Sequence, residues 1–244
     1  MKARSASLTL YHFADGHHRE VSVWHDQDHK PEVLATTPGI FISQRWVAPP
    51  DLMAERSPST LPHNGGEYVN LYWSSGSAEA LAADFDVLGR RLELVGRMQP
   101  MQYIERTFGR RLRPVSFQAR PGLQLSAEAV TCAPQNQGLM LVIGELQPGP
   151  GGEDFARWHE TEHMPEILAT GIFSGAAKLM SAAADEPNLM VILYYSDRDD
   201  PLAAYREFRG AAAGLARHPD AERAFRRLHS GMYRPSIGFY EFYP

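Results

Sequence analysis

The sequence contains one segment twice, and this internal repeat constrains the fold more than any other feature. Residues 24–41 read WHDQDHKPEVLATTPGIF and residues 158–173 read WHETEHMPEILATGIF, so a two-residue gap is enough to align them. Shorter matches keep the same order, Leu71–Ser74 with Leu193–Ser196 and Arg113–Pro114 with Arg234–Pro235. We therefore predict two homologous halves, residues 1–133 and 134–244, with the boundary near Pro134.

Each half carries the same predicted order of strands and helices. Runs rich in Val, Ile, Leu and Tyr predict strands, and apolar residues at helical spacing predict helices. The predicted strands are Leu8–Phe13, Ile40–Val47, Glu67–Ser74 and Val115–Arg120, then Leu139–Leu146, Phe173–Met180, Asn188–Ser196 and Ile237–Tyr243. The predicted helices are the repeated segments, Ala78–Gly96, Pro201–Arg217 and a short charged helix over 217–229. The order β-α-β-β-α-β is typical of the ferredoxin-like unit, so we predict an α+β fold with two such units in tandem.

Large side chains alternate along the predicted strands, which indicates that both faces of each sheet are covered. Tyr72 and Tyr194 lie on the face opposite Leu71 and Leu193, because successive strand residues point to opposite faces. We expect the two sheets to pack on each other and to enclose a lined cavity. The connection 48–66, with four prolines, is either a lid over that cavity or, as we favour, a plain surface insertion.

Composition excludes several classes of function. A net charge of -5 provides no cationic surface for a nucleic-acid backbone, and one cysteine cannot form an internal disulfide or a thiolate metal cage. The sequence has no apolar run typical of a signal peptide or a membrane span, and no phosphate-binding glycine motif or G-x-S-x-G element. We therefore expect a cytoplasmic protein whose partner is a small molecule rather than nucleic acid or a membrane.

Two histidines lie four residues apart in each copy of the repeat, His25 and His29 in the first and His159 and His163 in the second. On a helix such residues share a face, with Cβ atoms about 5–6 Å apart, so each pair can act on one ligand. Acidic neighbours favour the imidazolium form, and a histidine that titrates near neutral pH is a common acid or base in enzymes. The alternative is that all four histidines anchor the helix against the sheet.

The second copy also matches H-E-x-x-H, a signature of zinc peptidases. That chemistry requires Glu160 as base, a third protein ligand and an uninterrupted helix. The first copy has Asp26 in place of Glu160, and Pro165 follows the second histidine closely. We therefore predict no metal site. Pro31 and Pro165 also raise the alternative that each repeat is split between two short helices.

The pattern W-H-x-x-x-H-x-P-E, followed by a glycine and an apolar strand, resembles the dimeric α+β barrel superfamily, and within it the EthD-like and antibiotic-biosynthesis-monooxygenase-like groups. The sharp match covers about eighteen residues per half. The resemblance implies a barrel formed by both halves of one chain, an aromatic or polyketide-like substrate, and chemistry that many members perform without a tightly bound cofactor, while other branches bind haem. The helix histidine of the family corresponds to His29 and His163, which we rank above His25 and His159 as catalytic residues.

We accordingly expect histidine acid–base catalysis on an aromatic, polyketide-like or lactone-type substrate by an isomerase, lyase, cyclase or cofactor-free oxygenase. The alternatives are a haem-binding protein and a non-catalytic ligand-binding or accessory protein. We expect no cofactor, with haem left open, and pairing of two chains into a homodimer is left open as well.

The candidate substrate-binding residues are aromatic or polar side chains near the histidines or on the sheet: Trp24, Trp158, Asn70, Tyr72, Tyr194, Arg45 and His12. The two tryptophans are more typical of core anchors, and Arg45, like Lys178, is more typical of a solvated strand end. Asn70 stands where the second half has Ile192, and a polar residue on a covered sheet face needs a partner or a ligand.

Overall fold

The computed structural model describes residues 2–236, within which eight strands close into one antiparallel barrel. The strands follow the order β1-β3-β2-β8-β5-β7-β6-β4 around the barrel. Their bounds are β1 Ser5–Phe13, β2 Ile40–Val47, β3 Tyr68–Ser74, β4 Ile104–Ala119, β5 Gly138–Leu146, β6 Gly175–Ser181, β7 Leu189–Ser196 and β8 Phe225–Pro235. The expected mixed α and β architecture with a barrel is confirmed.

The two sets of four strands have the same internal order, β4-β1-β3-β2 and β8-β5-β7-β6, with every neighbouring pair antiparallel. The sets join at two seams. β4 pairs with β6 from Leu112 to Ala119, and β2 meets β8 through Trp46 and Val47. Closure at both seams pairs the edges that two separate sheets would leave open. Below, β1–β4 with their helices are the first half, and β5–β8 with theirs are the second half.

Helices pack on the outside of this barrel. They are α1 His18–Trp24, α2 Lys30–Thr36, α3 Pro50–Glu55, α4 Ala78–Leu94, α5 Ala127–Thr131, α6 Pro150–Trp158, α7 Met164–Ala169, α8 Pro201–Ala211 and α9 Ala221–Ala224. Helix α4 begins at an N-cap, because the Ser77 hydroxyl accepts from the Ala80 amide, and it buries one apolar stripe of Leu81, Leu88 and Leu92. No helix within residues 2–236 is both long and apolar enough to cross a lipid bilayer.

Side chains fill much of the barrel interior, where the sequence predicts a cavity between two sheets. Inward-pointing leucines from four strands are fully buried there, namely Leu8, Leu71, Leu141 and Leu193. Trp73 Nε1 and Tyr195 Oη, from different halves, both donate to Gln44 Oε1, at 3.2 and 3.3 Å. Because strand residues alternate, the residues between them point outward, under the helices, and the pockets that contain His29 and His163 lie on that side.

The predicted short helix over 217–229 is also wrong. Only Ala221–Ala224 is helical, and β8 begins at Phe225. The segment from Phe225 onward is a strand because it pairs with β5, where His229 lies opposite Ile143 and is fully buried. The predicted strand Val115–Arg120 is only the last part of β4, and both long helices end earlier than predicted. The predicted strand Ile237–Tyr243 lies outside the described residues.

The connection 48–66, between β2 and β3, packs against the second half, so it is neither a lid nor a surface insertion. Leu52 is fully buried, and the buried Arg56 donates to the carbonyls of Asn64 and Gly66 at 2.9 and 2.8 Å. The Arg56 guanidinium lies 4.7 Å from the ring centroid of Tyr233 in β8. On the outside, Glu55 forms ion pairs with Arg206 and Arg209 of α8.

Candidate functional sites

The repeated segment forms a turn of π-helix in both halves, at His25–His29 and at His159–His163. In each turn the next amide donates to the carbonyl five residues earlier, from Lys30 to His25 and from Met164 to His159. The backbone stays right-handed from each π turn into α2 and α7, where Pro31 and Pro165 are the second residues. The prolines therefore do not split the segment, and such π turns are frequent at functional sites.

Each π turn places its two imidazoles next to each other. The ring centroids are 5.6 Å apart for His25 and His29, and 5.5 Å apart for His159 and His163. The second histidine of each pair stacks on the preceding indole, His29 on Trp24 at 4.8 Å and His163 on Trp158 at 4.7 Å. The pairs thus share a helix face, and both tryptophans contact a candidate histidine.

The first histidine of each pair contacts the third strand of its own half. His159 Nε2 lies 3.1 Å from Tyr194 Oη. His25 Nε2 lies 2.8 Å from Asn70 Nδ2 and 3.5 Å from Tyr72 Oη. These contacts place the imidazoles on the outer face of the barrel, between helix and sheet, instead of around the predicted internal chamber.

Burial keeps the helix histidines neutral, which corrects the expectation that acidic neighbours favour imidazolium. Burial lowers the pKa of His25 and of His159 to about 3, and that of His29 to about 4. Burial also lowers the pKa of His163, against the opposing influence of Glu166 and the Ala216 backbone. Several neighbouring carboxylates are paired with cations instead: Asp26 with Arg45, Asp28 and Glu32 with Arg97, and Glu160 with Lys178.

In the first half, the contacts determine the tautomer of His25. Its Nδ1 atom lies 3.2 Å from Asp26 Oδ1. Because a carboxylate only accepts hydrogen bonds, Nδ1 carries the hydrogen. His25 Nε2 then accepts from the Asn70 amide nitrogen. This orients the Asn70 Oδ1 atom, which is buried and makes no hydrogen bond to any described residue.

A cavity of about 170 Å³ adjoins these residues, and we call it the first-half pocket. Its sheet wall is polar, and its helix wall is mostly apolar. The lining includes Ser7, Thr9, Tyr11, Asn70, Tyr72, Arg106 and Arg111 from the strands, and Trp24, His25, His29, Phe85, Leu88, Gly89 and Met98 from the helices and the segment after α4.

The equivalent space in the second half, the second-half pocket, is much larger, at about 970 Å³. Strand register shows that Met140, Val142 and Ile192 occupy the places of Ser7, Thr9 and Asn70, so this sheet wall is apolar. The helix side adds Phe155, Trp158, His159, His163, Ile167 and Phe208.

Charged residues line the mouth of the second-half pocket, namely Arg217, Arg223, Arg227, Asp220 and Glu222. The three arginines are exposed, and within residues 2–236 none of them has a carboxylate within 4.0 Å. The mouth therefore carries one more positive than negative charge, and its guanidinium groups are available to an anionic ligand.

Arg45 and Lys178 are buried rather than solvated. Arg45 donates to Asp26 Oδ2 at 2.8 Å and to Ser22 Oγ at 2.9 Å. Lys178 Nζ donates to the Glu160 carboxylate and, at 3.0 Å, to the Ala156 carbonyl. Both cations connect the repeated helix to the second strand of their half, and neither lines the two pockets.

His12 lies apart from both pockets. Its Nδ1 atom is 2.8 Å from Glu67 Oε1, and its ring stacks on His63 at 3.9 Å. The zinc-peptidase pattern is not assembled as a site either, because Glu160 pairs with Lys178. Among the residues that the structure describes, no group of three or more His, Cys, Asp and Glu side chains could hold a metal ion.

The arginines of both pockets were not among the sequence candidates. Arg106 and Arg111 lie on β4, whose first eleven residues the hydropathy pattern does not identify as a strand. Arg217, Arg223 and Arg227 lie in and around the segment predicted as a solvated helix. One sequence signal was available, since the polar residues Ser7, Thr9 and Tyr11 alternate with leucines and therefore share one face of β1.

No protein-family model matches the chain, and no curated protein matches it in sequence. Solved structures of similar fold include a variant of DypB from Rhodococcus jostii in complex with heme, with a TM-score of 0.57, 6% identity, and coverage of 96% of this chain and 94% of that one. An anthrone oxidase-like protein has a TM-score of 0.54 and 14% identity, with coverage of 96% of this chain and 92% of that one. A chlorite dismutase from Candidatus Nitrospira defluvii in complex with imidazole has a TM-score of 0.52 and 10% identity, with coverage of 96% and 93%. The chain therefore shares its overall fold with these structures. At these identities the similarity concerns the fold alone.

Proposed function

We propose that the second-half pocket is the active site of an enzyme that removes a proton from an aromatic or polyketide-like substrate, with His163 as the base. One arrangement carries the proposal: a cavity of about 970 Å³ with a neutral imidazole on its wall and, at its mouth, three arginines that no described carboxylate pairs. Apolar walls bind a carbon skeleton, and the guanidinium groups attract the negative charge that forms when the proton leaves.

His163 is better placed than His159 to accept a proton. His159 is 4% exposed, and its Nε2 atom is engaged by Tyr194. His163 is half-buried, and Glu166 and the Ala216 backbone favour its protonated form. The Trp158 ring is stacked on it at 4.7 Å. An aromatic face in that position also stabilises a positive charge.

Removal of a proton next to a carbonyl leaves an enolate, and nearby arginines stabilise that negative charge. Return of the proton to another carbon gives an isomerase, and loss of a leaving group gives a lyase. Reaction of the carbanion with O₂ gives an oxygenase, in which an anthrone and O₂ yield the quinone and water. An anthrone oxidase-like protein shares the fold, which makes anthrone a suitable first probe.

The test uses anthrone and follows both deuterium exchange at its acidic carbon without oxygen and O₂ uptake in air. We expect the wild-type protein to accelerate exchange, and His163→Ala to lower the rate by about 100-fold or more, the usual contribution of a general base. His29→Ala, at the equivalent position of the first half, is the matched control and keeps the rate. The proposal is wrong if the wild-type protein gives no acceleration, or if His163→Ala exchanges as fast as wild type.

Haem binding is a second candidate function, favoured by the volume of the same pocket and by its arginines. A haem would lie between the apolar walls, with its propionates near Arg217, Arg223 and Arg227 and an imidazole from His163 on its iron. Bound haem would supply peroxide and O₂ chemistry. DypB, which shares the fold, is seen with heme, so the comparisons give no support to the expected absence of a cofactor.

Titration with hemin decides between the two candidates. If the pocket binds haem, a Soret band saturates at one equivalent per chain, and His163→Ala loses or shifts that band while His29→Ala keeps it. Absence of a saturable band contradicts haem binding and leaves proton abstraction as the function of the pocket. An identical band in His163→Ala contradicts ligation of the iron by His163.

We also propose that the chain is a tandem duplication of a ferredoxin-like unit, with halves 1–133 and 134–244. The equal strand order of the two halves and the π turn in each copy support this proposal. Membership of an EthD-like group is supported by the repeated sequence pattern. The homodimer and the cytoplasmic location stay predictions.

A further inference from the structure

We infer that the first-half pocket is a separate binding site for a small aromatic anion that also carries a hydroxyl group, a hydroxyaryl carboxylate in chemical terms. The inference goes beyond the proposed function, because it concerns the other pocket and a different ligand. It rests on a buried acceptor and a half-buried guanidinium, which have opposite hydrogen-bonding needs, on their spacing across the sheet, and on the size of the cavity.

The first group is the Asn70 amide oxygen. Asn70 is 5% exposed and lines the pocket, its amide nitrogen is held by His25, and its buried Oδ1 atom has no donor from any described residue. A buried acceptor without a partner costs about 1–3 kcal/mol. Ile192 occupies the same place in the second half, so the fold itself does not require a polar side chain there. A ligand with a hydrogen-bond donor would satisfy this oxygen.

The second group is the Arg111 guanidinium. Its Nη1 atom donates to Ser7 Oγ at 2.6 Å, and the group lies 4.9 Å from the Phe85 ring centroid. Its Nε atom is buried without an acceptor, and among residues 2–236 no carboxylate lies within 4.0 Å of the guanidinium. Arg106 lines the same pocket and adds a second positive charge. An anionic acceptor, such as a carboxylate, fits this environment.

Strand register places the two groups within reach of one small molecule. Asn70 pairs with Thr9, and Arg111 pairs with Ser7, two residues away on the same face of β1. Same-face neighbours along a strand are about 7 Å apart, and adjacent strands are about 4.8 Å apart. Gly109, which pairs with Thr9 on the β4 side, has no side chain of its own, and the Arg106 side chain lies over it, with Cδ 2.9 Å from the place of a Cβ.

The volume and walls of the pocket restrict the ligand further. Its volume is about 170 Å³. Pockets for drug-sized ligands usually exceed about 300 Å³, so a smaller cavity suits a single substituted ring. Phe85 and the stacked pair of Trp24 and His29 supply flat surfaces for such a ring. The hydroxyl would donate to Asn70, and the carboxylate would accept from Arg111.

The first experiment measures binding of 4-hydroxybenzoate to the full chain by isothermal titration calorimetry. We expect one site per chain, with benzoate, which lacks the hydroxyl, and phenol, which lacks the anion, each binding at least tenfold more weakly. The inference is overturned if 4-hydroxybenzoate shows no saturable binding, or if all three compounds bind equally.

Variants then locate the site. Asn70→Ile and Arg111→Met introduce the residues found at the equivalent second-half positions, Ile192 and Met232, and each is expected to weaken binding at least tenfold. Gly89 lines the pocket on α4, and a Cβ there would meet nothing within 4 Å, so Gly89→Trp should block the pocket while Gly89→Ala should bind normally. If Asn70→Ile or Arg111→Met does not fold, comparison of Gly89→Trp with Gly89→Ala shows whether the ligand binds in the first-half pocket.

Ile167→Trp, which fills part of the second-half pocket instead, is the remaining control and should leave 4-hydroxybenzoate binding unchanged. Loss of binding in Ile167→Trp together with full binding in Gly89→Trp would assign the ligand to the second half and overturn the inference. Because the anthrone and hemin tests use the second-half pocket, failure of the proposed function and failure of this inference give different results.

Discussion

As the pH falls from 6.5 towards 4, we expect the protein to unfold in one cooperative transition. In the folded state burial lowers the pKa of His25 and His159 to about 3 and that of His29 to about 4. In the unfolded chain these imidazoles titrate near pH 6.5. Below that pH the unfolded state therefore binds more protons than the folded state, and the free energy of unfolding falls as the pH is lowered.

The expected effect is comparable to the whole stability of a domain. At pH 4.5 each of the three histidines lowers the free energy of unfolding by about 2–3 kcal/mol, while typical total stabilities are about 5–15 kcal/mol. The stabilisation is complete above pH 6.5, and most of it is lost between pH 6.5 and pH 4. Burial acts to raise the pKa of Asp26, but its hydrogen bond with His25 and the charge of Arg45 outweigh burial and lower that pKa below 3.8. Asp26 therefore changes the pH dependence of the unfolding free energy only below about pH 4.

Urea unfolding at a series of pH values between 8 and 4 measures this dependence. His159→Leu removes one of the titrating groups and should reduce the slope of the unfolding free energy by up to one proton, about 1.4 kcal/mol per pH unit. Ile167 is buried in the adjacent helix. Ile167→Val should lower stability by about 0.5–1.5 kcal/mol at every pH without changing the slope. Constant wild-type stability between pH 7.5 and 4.5 would contradict the prediction.

The sequence allowed most strands to be predicted, but it did not show which strand face is internal. Periodicity separates two faces, yet in β7 all residues from Leu189 to Ser196 are buried, so hydropathy does not distinguish barrel interior from helix-covered exterior. Strand β8 was missed because Arg226 and Arg227 make its start resemble a solvated segment. Its conformation depends on pairing with β5, a contact between distant parts of the chain that local propensity does not encode.

The candidate sites were predictable to a similar degree. Helical spacing correctly grouped His25 with His29 and His159 with His163, but a spacing of four cannot distinguish an α turn from the π turn that forms. The charge state was predicted wrongly, because sequence proximity to carboxylates was visible and burial was not. Asn70 was identified by its difference from Ile192, whereas its neighbour across the sheet, Arg111, required the three-dimensional register.

Replacement of Arg45 by leucine should destabilise the protein by about 3–5 kcal/mol, the usual effect of breaking a buried ion pair. The Arg45 side chain is 1% exposed, pairs with Asp26 at 2.8 Å, and lies 4.8 Å from the Tyr68 ring centroid. Its loss leaves the Asp26 carboxylate, 18% exposed, without the adjacent guanidinium. Thermal and urea unfolding of Arg45→Leu measure the effect, and Asp26→Asn in the same chain should restore part of the stability.

The second half provides the matched control for this change. Lys178→Leu removes the equivalent cation, but the side chain of its partner Glu160 is 31% exposed. Water can therefore replace the lysine, and the expected loss is about 1 kcal/mol. Equal losses in Arg45→Leu and Lys178→Leu would show that burial of the carboxylate does not govern the two pairs.

Arg45 has an additional role, because its partner Asp26 sets the tautomer of His25, which in turn orients Asn70. Arg45→Leu should therefore also weaken 4-hydroxybenzoate binding, whereas Lys178→Leu, in the half whose histidine contacts Tyr194 instead, should leave that binding unchanged. Calorimetric titration of both variants under conditions where each is folded measures this difference. Equal affinity in Arg45→Leu and wild type would mean that Asn70 keeps its orientation without the Arg45–Asp26 pair.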